Sequence, residues 1–119
     1  MQIIDKMVGN SNTDSMITLN SIITGKEQVV IKADVEGAEH DLLKGLDNVY
    51  LKSGSSLILC AYHNQSDEET IGSIFAKQGI PYEVSKGFVI PLLGEYEEPY
   101  LRKALVRCTI ENNLKFKYI

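Results

Sequence analysis

The sequence predicts an α/β fold: a single domain over residues 1–119, built on a mixed sheet of about four strands with flanking helices. Three observations carry this. Residues 29–33 and 55–62 are compact apolar runs of strand length. Between and beyond them, apolar residues recur at helical spacing near 37–46 and 67–78. The last third of the chain alternates apolar and polar positions over 104–110, the pattern of a strand with one face turned to solvent.

Taken in chain order, residues 1–25 are weakly patterned. "GNSNTDS" at 9–15 is a loop by composition, and "MITLNSII" at 16–23 reads as a short helix capped by Thr18 or as a strand. From Gln28 the signal sharpens. The β-branched-rich run at 29–33 has the composition of a strand buried on both faces. Val35, Ala38, Leu42, Leu43 and Leu46 then fall on one helical face. "SSLILCAY" at 55–62 is a second continuous apolar strand. Ser66 followed by Glu69 fits a capping box for a helix whose apolar face is Ile71, Ile74 and Phe75. Gly79 stands where helices end, and Pro81 prevents continuation. A strand over 82–90 is interrupted at Lys86-Gly87. The two strands at 28–34 and 55–62, separated by a helix, should be parallel neighbours joined by a right-handed crossover.

Composition excludes several function classes. The chain is 44% hydrophobic and 24% charged, with a formal net charge of −4, so no basic stripe is available to neutralise phosphates and no nucleic-acid partner is expected. No apolar run approaches the ~18 residues a membrane helix needs. Met1-Gln-Ile-Ile-Asp-Lys also lacks the layout of a secretory leader, so the expected location is cytoplasmic, with no membrane partner. Cys60 and Cys108 lie inside apolar runs, which suits buried free thiols. Neither has a ligand at metal-binding spacing.

The stretch "VVIKADVEGAEH" delivers unusual charge to a strand tip. In open α/β sheets, ligands bind beyond the carboxyl ends of the strands. Asp34 sits at such an end, with Glu36, Gly37, Glu39 and His40 in the turn and first helical turn that follow. The next strand carries Tyr62, His63 and Asn64 to the same edge, so Asp34, Glu36 and His63 should line one crevice. Simpler roles exist for several of these residues. Acids in a first helical turn are stabilised by the helix dipole by ~0.3–1 kcal/mol, which would account for Glu36 and Glu39. His40 falls opposite the apolar stripe, and Gly37 suits a tight turn or a close backbone approach. Asp34, Glu36 and Glu39 offer oxygen ligands for Mg²⁺, but their spacing matches no dedicated metal loop, and no metal is expected.

The same stretch resembles the core of the FkbM-type family of S-adenosylmethionine-dependent methyltransferases. Members show a Thr-Leu-Asp-like segment, then a strand ending in I-K-I-D-V-E-G-A-E, then a helix ending in L-K-G. Here Thr18-Leu19-Asn20, Ile31 through Glu39, and Leu43-Lys44-Gly45 stand in those places, with Asn20 for the usual Asp and Ala33 for a larger aliphatic residue. "CAYHNQSDE" at 60–68 and "PYLRKALVR" at 99–107 are similar to later segments of one branch. The resemblance implies a partial Rossmann-like methyltransferase fold and methyl transfer to a hydroxyl of a small molecule or glycan. It implies Asp34, Glu36 and Gly37 at the cofactor, with Asp34, Glu36 and His63 as catalytic candidates. Asp34 would contact the methionine end of the cofactor or the acceptor, and Glu36 or His63 would take the proton. Such folds open with a glycine-rich loop for the cofactor, and no G-x-G loop occurs here. The chain therefore corresponds to the C-terminal half of the enzyme, and weak or absent binding of S-adenosylmethionine is expected from it alone.

Two other readings fit the same pattern. A receiver-like phosphoacceptor domain also ends a parallel strand in Asp, but it needs an acidic pair near the N-terminus, where Asp5 stands alone and Asp14 lies in a loop. A non-catalytic α/β assembly module is the stronger competitor. The edge at 28–34 would be open and would invite pairing, by residues 1–25 folded back over it or by a second copy of the chain in a homodimer.

Overall fold

The computed structural model describes residues 1–47, 51–90 and 98–111. Strand β1 (Met7–Val8) pairs in parallel with β2 (Met16–Ile17), closing the polar loop between them. Thr18 then caps a 3-10 turn at Leu19–Ser21 by position, without a side-chain cap bond. Its own N–H instead donates to Asn12 Oδ1 at 3.0 Å. The strand and the helical turn expected as alternatives for 16–23 thus occur in succession.

The principal sheet holds four strands. β3 (Val30–Ala33) lies beside β4 (Ser56–Cys60), and the pair is parallel with Ile31 opposite Leu57 and Ala33 opposite Leu59. Between them runs helix α1 (Glu39–Lys44), shorter than the 37–46 expected because the turn after β3 occupies its first residues. After β4 comes helix α2 (Asp67–Lys77), then β5 (Tyr82–Val84), β6 (Phe88–Val89), β7 (Arg102–Lys103) and β8 (Leu105–Thr109). The sheet order is β3-β4-β8-β5, with β8 antiparallel to both its neighbours. Lys86-Gly87 does break the 82–90 strand. Its second half, β6, leaves the sheet and pairs with β7.

Side chains alternate across a strand, so the register places Ile31, Ala33, Leu57, Leu59, Val106 and Cys108 on one face. That face packs into the core with Leu42 and Leu43 of α1 and Ile71 and Phe75 of α2. Val30, Lys32, Ser56, Ile58, Arg107 and Thr109 occupy the other. Val30 is 74% exposed, which corrects the expectation of a strand buried on both faces: among the described residues nothing packs on that side. The apolar run at 29–33 hid an alternation because Val30 is apolar on the solvent face.

The ends of α2 divide the same way. Ser66 occupies the N-cap position but makes no side-chain cap bond, so the capping box is not formed. The Asp67 carboxylate instead accepts the Asn64 N–H at 2.7 Å and the Asn64 amide at 2.9 Å. The C-terminal end is as expected. Gly79 has φ +68, its N–H donates to the Ala76 carbonyl at 3.0 Å, and the Ile80 N–H reaches Phe75 O at 3.0 Å, a Schellman closure.

The N-terminal segment docks against the end of α1, away from the edge of β3. Asn20 donates its N–H to Gly45 O at 3.2 Å and accepts the Asp47 N–H at 2.7 Å. Covering of the 28–34 edge by strands of 1–25 is not what the fold does. Among the described residues β3 pairs with β4 alone. No helix of the described residues is long and apolar enough to cross a membrane.

Candidate functional site

Two strand tips build the site. β3 ends at Ala33 and hands Asp34 to a turn in which the Ala38 N–H donates to Val35 O at 3.1 Å. Both central residues have positive φ, +53 at Glu36 and +93 at Gly37, the signature of a type I′ turn. Gly37 is required twice over. Its φ is one L residues rarely adopt, and a Cβ there would lie 2.7 Å from Asn64 Nδ2, which donates to Gly37 O at 3.0 Å. This bond ties the β3 turn to the tip of β4.

The β4 tip is held from the other side. Arg102, buried, donates from Nη1 to the carbonyls of Tyr62 at 2.9 Å and His63 at 3.1 Å. Its Nε donates to Pro99 O at 3.0 Å. The backbone that carries His63 is therefore fixed by a charged side chain from β7.

The His63 ring stands at the junction. Its Nε2 lies 3.2 Å from Asp34 Oδ1 and 3.6 Å from Glu36 Oε2, while Nδ1 lies 3.3 Å from Glu39 Oε1. The structure thus brings Asp34, Glu36 and His63 together at one edge. Asp34 and Glu36 are exposed, whereas Glu39 is 1% exposed. A fully buried carboxylate is costly unless it is paired. Glu39 Oε1 accepts the Val35 N–H at 3.0 Å, but Oε2 has no hydrogen-bond partner, and neither has His63 Nδ1. The Nδ1–Oε1 approach is close enough for an ion pair yet off the axis of a hydrogen bond. The buried Asp67 carboxylate also comes within 4.8 Å of His63 and Glu39, so four carboxylates crowd one imidazole and concentrate negative charge that a cation would relieve.

Burial, reinforced by the charge of Asp34, raises the Cys60 thiol, and burial likewise raises the Tyr62 phenol. Cys108, far from the tip in β8, is pushed up to about 11 by burial. Both cysteines are free. His40 sits outside the cluster beside Asp41, 3.5 Å away. A groove of about 470 Å³ lies on the bare sheet face, lined by residues such as Ser56, Ile58, Glu83 and Arg107, and no side chain of the His63 cluster borders it. The chemistry belongs to the strand tips, where the ionisable groups converge.

Sequence reasoning places Glu39 at the tip, as a helix-dipole acid or an oxygen ligand, but not buried behind His63, although Leu42, Leu43 and Leu46 follow it at three, four and seven residues, the spacing of its own helical face. Arg102 carried no signal, since its partners are backbone carbonyls distant in sequence.

No family model matches the chain, and comparison with curated proteins and with solved structures gives no significant match. The class defined by fold and site is accordingly an α/β domain with a mixed four-stranded sheet and an acidic, histidine-centred strand tip.

Proposed function

We propose that the chain carries part of an S-adenosylmethionine-dependent methyltransferase of the FkbM type, acting on a hydroxyl of a small molecule or glycan. The observation that carries the reading is the convergence of Asp34, Glu36 and His63 from two adjacent parallel strands, within the stretch that bears the D-V-E-G-A-E resemblance. S-adenosylmethionine, when bound, supplies an electrophilic methyl group. The chain's own residues position the acceptor and receive its proton. Asp34 offers a carboxylate to the methionine end of the cofactor or to the acceptor hydroxyl. Gly37, bonded to Asn64, holds the turn that carries Asp34 and Glu36 beside the cofactor. Glu36 or His63 takes the hydroxyl proton, a role worth ~10²–10⁴-fold in rate. Glu39, behind the ring, fixes its orientation.

The 119 residues contain no G-x-G loop, so the groups that enclose the cofactor's phosphate-free adenosine end are not supplied by a motif of this sequence. Binding should be weak and local. The test is a ¹⁵N NMR titration with S-adenosylmethionine. The reading predicts fast-exchange shifts confined to residues 34–37 and 62–64, with a dissociation constant of about 1 mM, near 4 kcal/mol. Saturable shifts centred away from those residues contradict the methyltransferase reading. Slow exchange at micromolar affinity contradicts the view that the pocket is incomplete.

One feature favours a second reading. The bare sheet face and the open β3 edge, with Val30 74% exposed, suit a non-catalytic assembly module that pairs with a second copy. Absent cofactor shifts in a chain that sediments as a dimer would support it. The receiver-like reading gains nothing, because Asp5 and Asp14 are exposed and belong to no acidic cluster among the described residues.

A further inference from the structure

We infer that Asp34, Glu36 and His63 form a binding site for one divalent transition-metal cation, with Glu39 orienting the imidazole from behind. The inference concerns the site just discussed but rests on its geometry alone, so it stands or falls independently of methyl transfer.

Four observations support it. One ligand atom from each of the three residues falls within 4.8 Å of the others. Ligands about 2.0–2.2 Å from a metal lie roughly 3–3.5 Å from one another. The 3.2 Å from His63 Nε2 to Asp34 and 3.6 Å to Glu36 are close to such edges. Next, a metal-bound histidine usually gives its second ring N–H to a carboxylate, which fixes tautomer and orientation. Glu39 Oε1 stands 3.3 Å from Nδ1, near enough to take that role after a small turn of the ring.

The third observation concerns burial, on the Nδ1 side of the ring. Glu39 is 1% exposed, and its Oε2 and His63 Nδ1 are the buried side-chain polar atoms left without partners among the described residues. Buried polar atoms are normally satisfied. A cation on Nε2 would hold the ring with its Nδ1–H directed at Glu39, and its charge would offset the buried carboxylate. Fourth, one nitrogen and two carboxylate oxygens form a mixed donor set. That set suits manganese, iron or zinc better than the all-oxygen preference of Ca²⁺ or Mg²⁺. The spacing of 34, 36 and 39 suggested no metal because the nitrogen ligand comes from the next strand.

The test is Mn²⁺ titration of the chelator-treated 119-residue protein, followed by electron paramagnetic resonance and by broadening of ¹⁵N NMR signals, without S-adenosylmethionine. The expected result is one Mn²⁺ per chain, with broadening centred on residues 33–37 and 62–64. Asp34→Asn, an isosteric change at a half-exposed side chain, should weaken binding by about tenfold or more, and Glu39→Gln by about 10–100-fold, as outer partners of metal ligands do. Folding of each variant is read from the same spectra. No saturable binding below about 1 mM, broadening centred elsewhere, or undiminished binding in Asp34→Asn would overturn the inference. Metal binding at these residues would uphold it whether or not the separate cofactor titration supports methyl transfer.

Discussion

Glu36 is held in a backbone conformation that costs a non-glycine residue about 1–2 kcal/mol. At φ +53 it occupies the first central position of a turn that favours Asn, Asp or Gly. Its carboxylate is exposed and contributes no packing. The position therefore trades stability for an acid facing His63 Nε2. Glu36→Asn should raise the free energy of unfolding by about 0.5–1 kcal/mol, because Asn tolerates this φ several-fold better and one of three like charges is removed. Urea denaturation reads the change, and a loss of stability would show that the Glu36–His63 contact outweighs the strain. Glu39 is the opposite case, an acid placed by packing. Its inward direction was legible in its spacing from Leu42 and Leu43, whereas the turn type at 35–38 was not. A Glu-Gly pair has no fixed preference for two successive positive φ values until tertiary contacts such as Asn64–Gly37 impose them.

At the scale of elements, the strands that were read best are those with continuous apolar runs, β3 and β4. The boundaries of α1 shifted because the turn after β3 consumed residues that fit a helical period. The N-terminal segment was hard to read for a physical reason: its two-residue strands are too short to show a period, and it joins the rest through Leu19, Val8 and Ile23 at the core and through contacts to the end of α1. One such contact is the approach of Gly9 to Gly45. A Cβ on Gly45 would collide with the Gly9 carbonyl, which is backbone and cannot rotate aside. Gly45→Ala should therefore displace the β1–β2 pair and destabilise the protein by about 2 kcal/mol or more, despite alanine's better helix propensity. Hydrogen exchange should show protection lost first at Met7, Gly9 and Asn20, whose N–H groups bond across this segment. Unchanged protection there would mean that the segment is not anchored at Gly45.

At the scale of the molecule, a sheet covered on one face by two helices gives the chain a buried side that fixes the register and, among the described residues, a bare side. Register in turn decides where the strand tips meet. Shifting β3 by one residue against β4 would send Ala33 outward and carry the Asp34 tip away from His63. The fold class, the parallel pairing and the meeting of Asp34 with His63 followed from pattern alone, since strand order and length determine where tips lie. The one-sided burial, the capping of α2 and the roles of Glu39 and Arg102 depend on contacts between distant segments, which periodicity does not encode. The central claim is that a buried Glu39 carboxylate holds His63 where the two strand tips meet. A double-mutant cycle in chemical denaturation, comparing Glu39→Gln, His63→Ala and the pair, tests it most directly. Removing His63 alone strands the buried carboxylate and should cost about 3–5 kcal/mol, and adding Glu39→Gln should recover part of that loss, giving a coupling of about 1–3 kcal/mol. Effects that add to within about 0.3 kcal/mol would show that the two side chains do not act on each other, and the account of the site would fail with them.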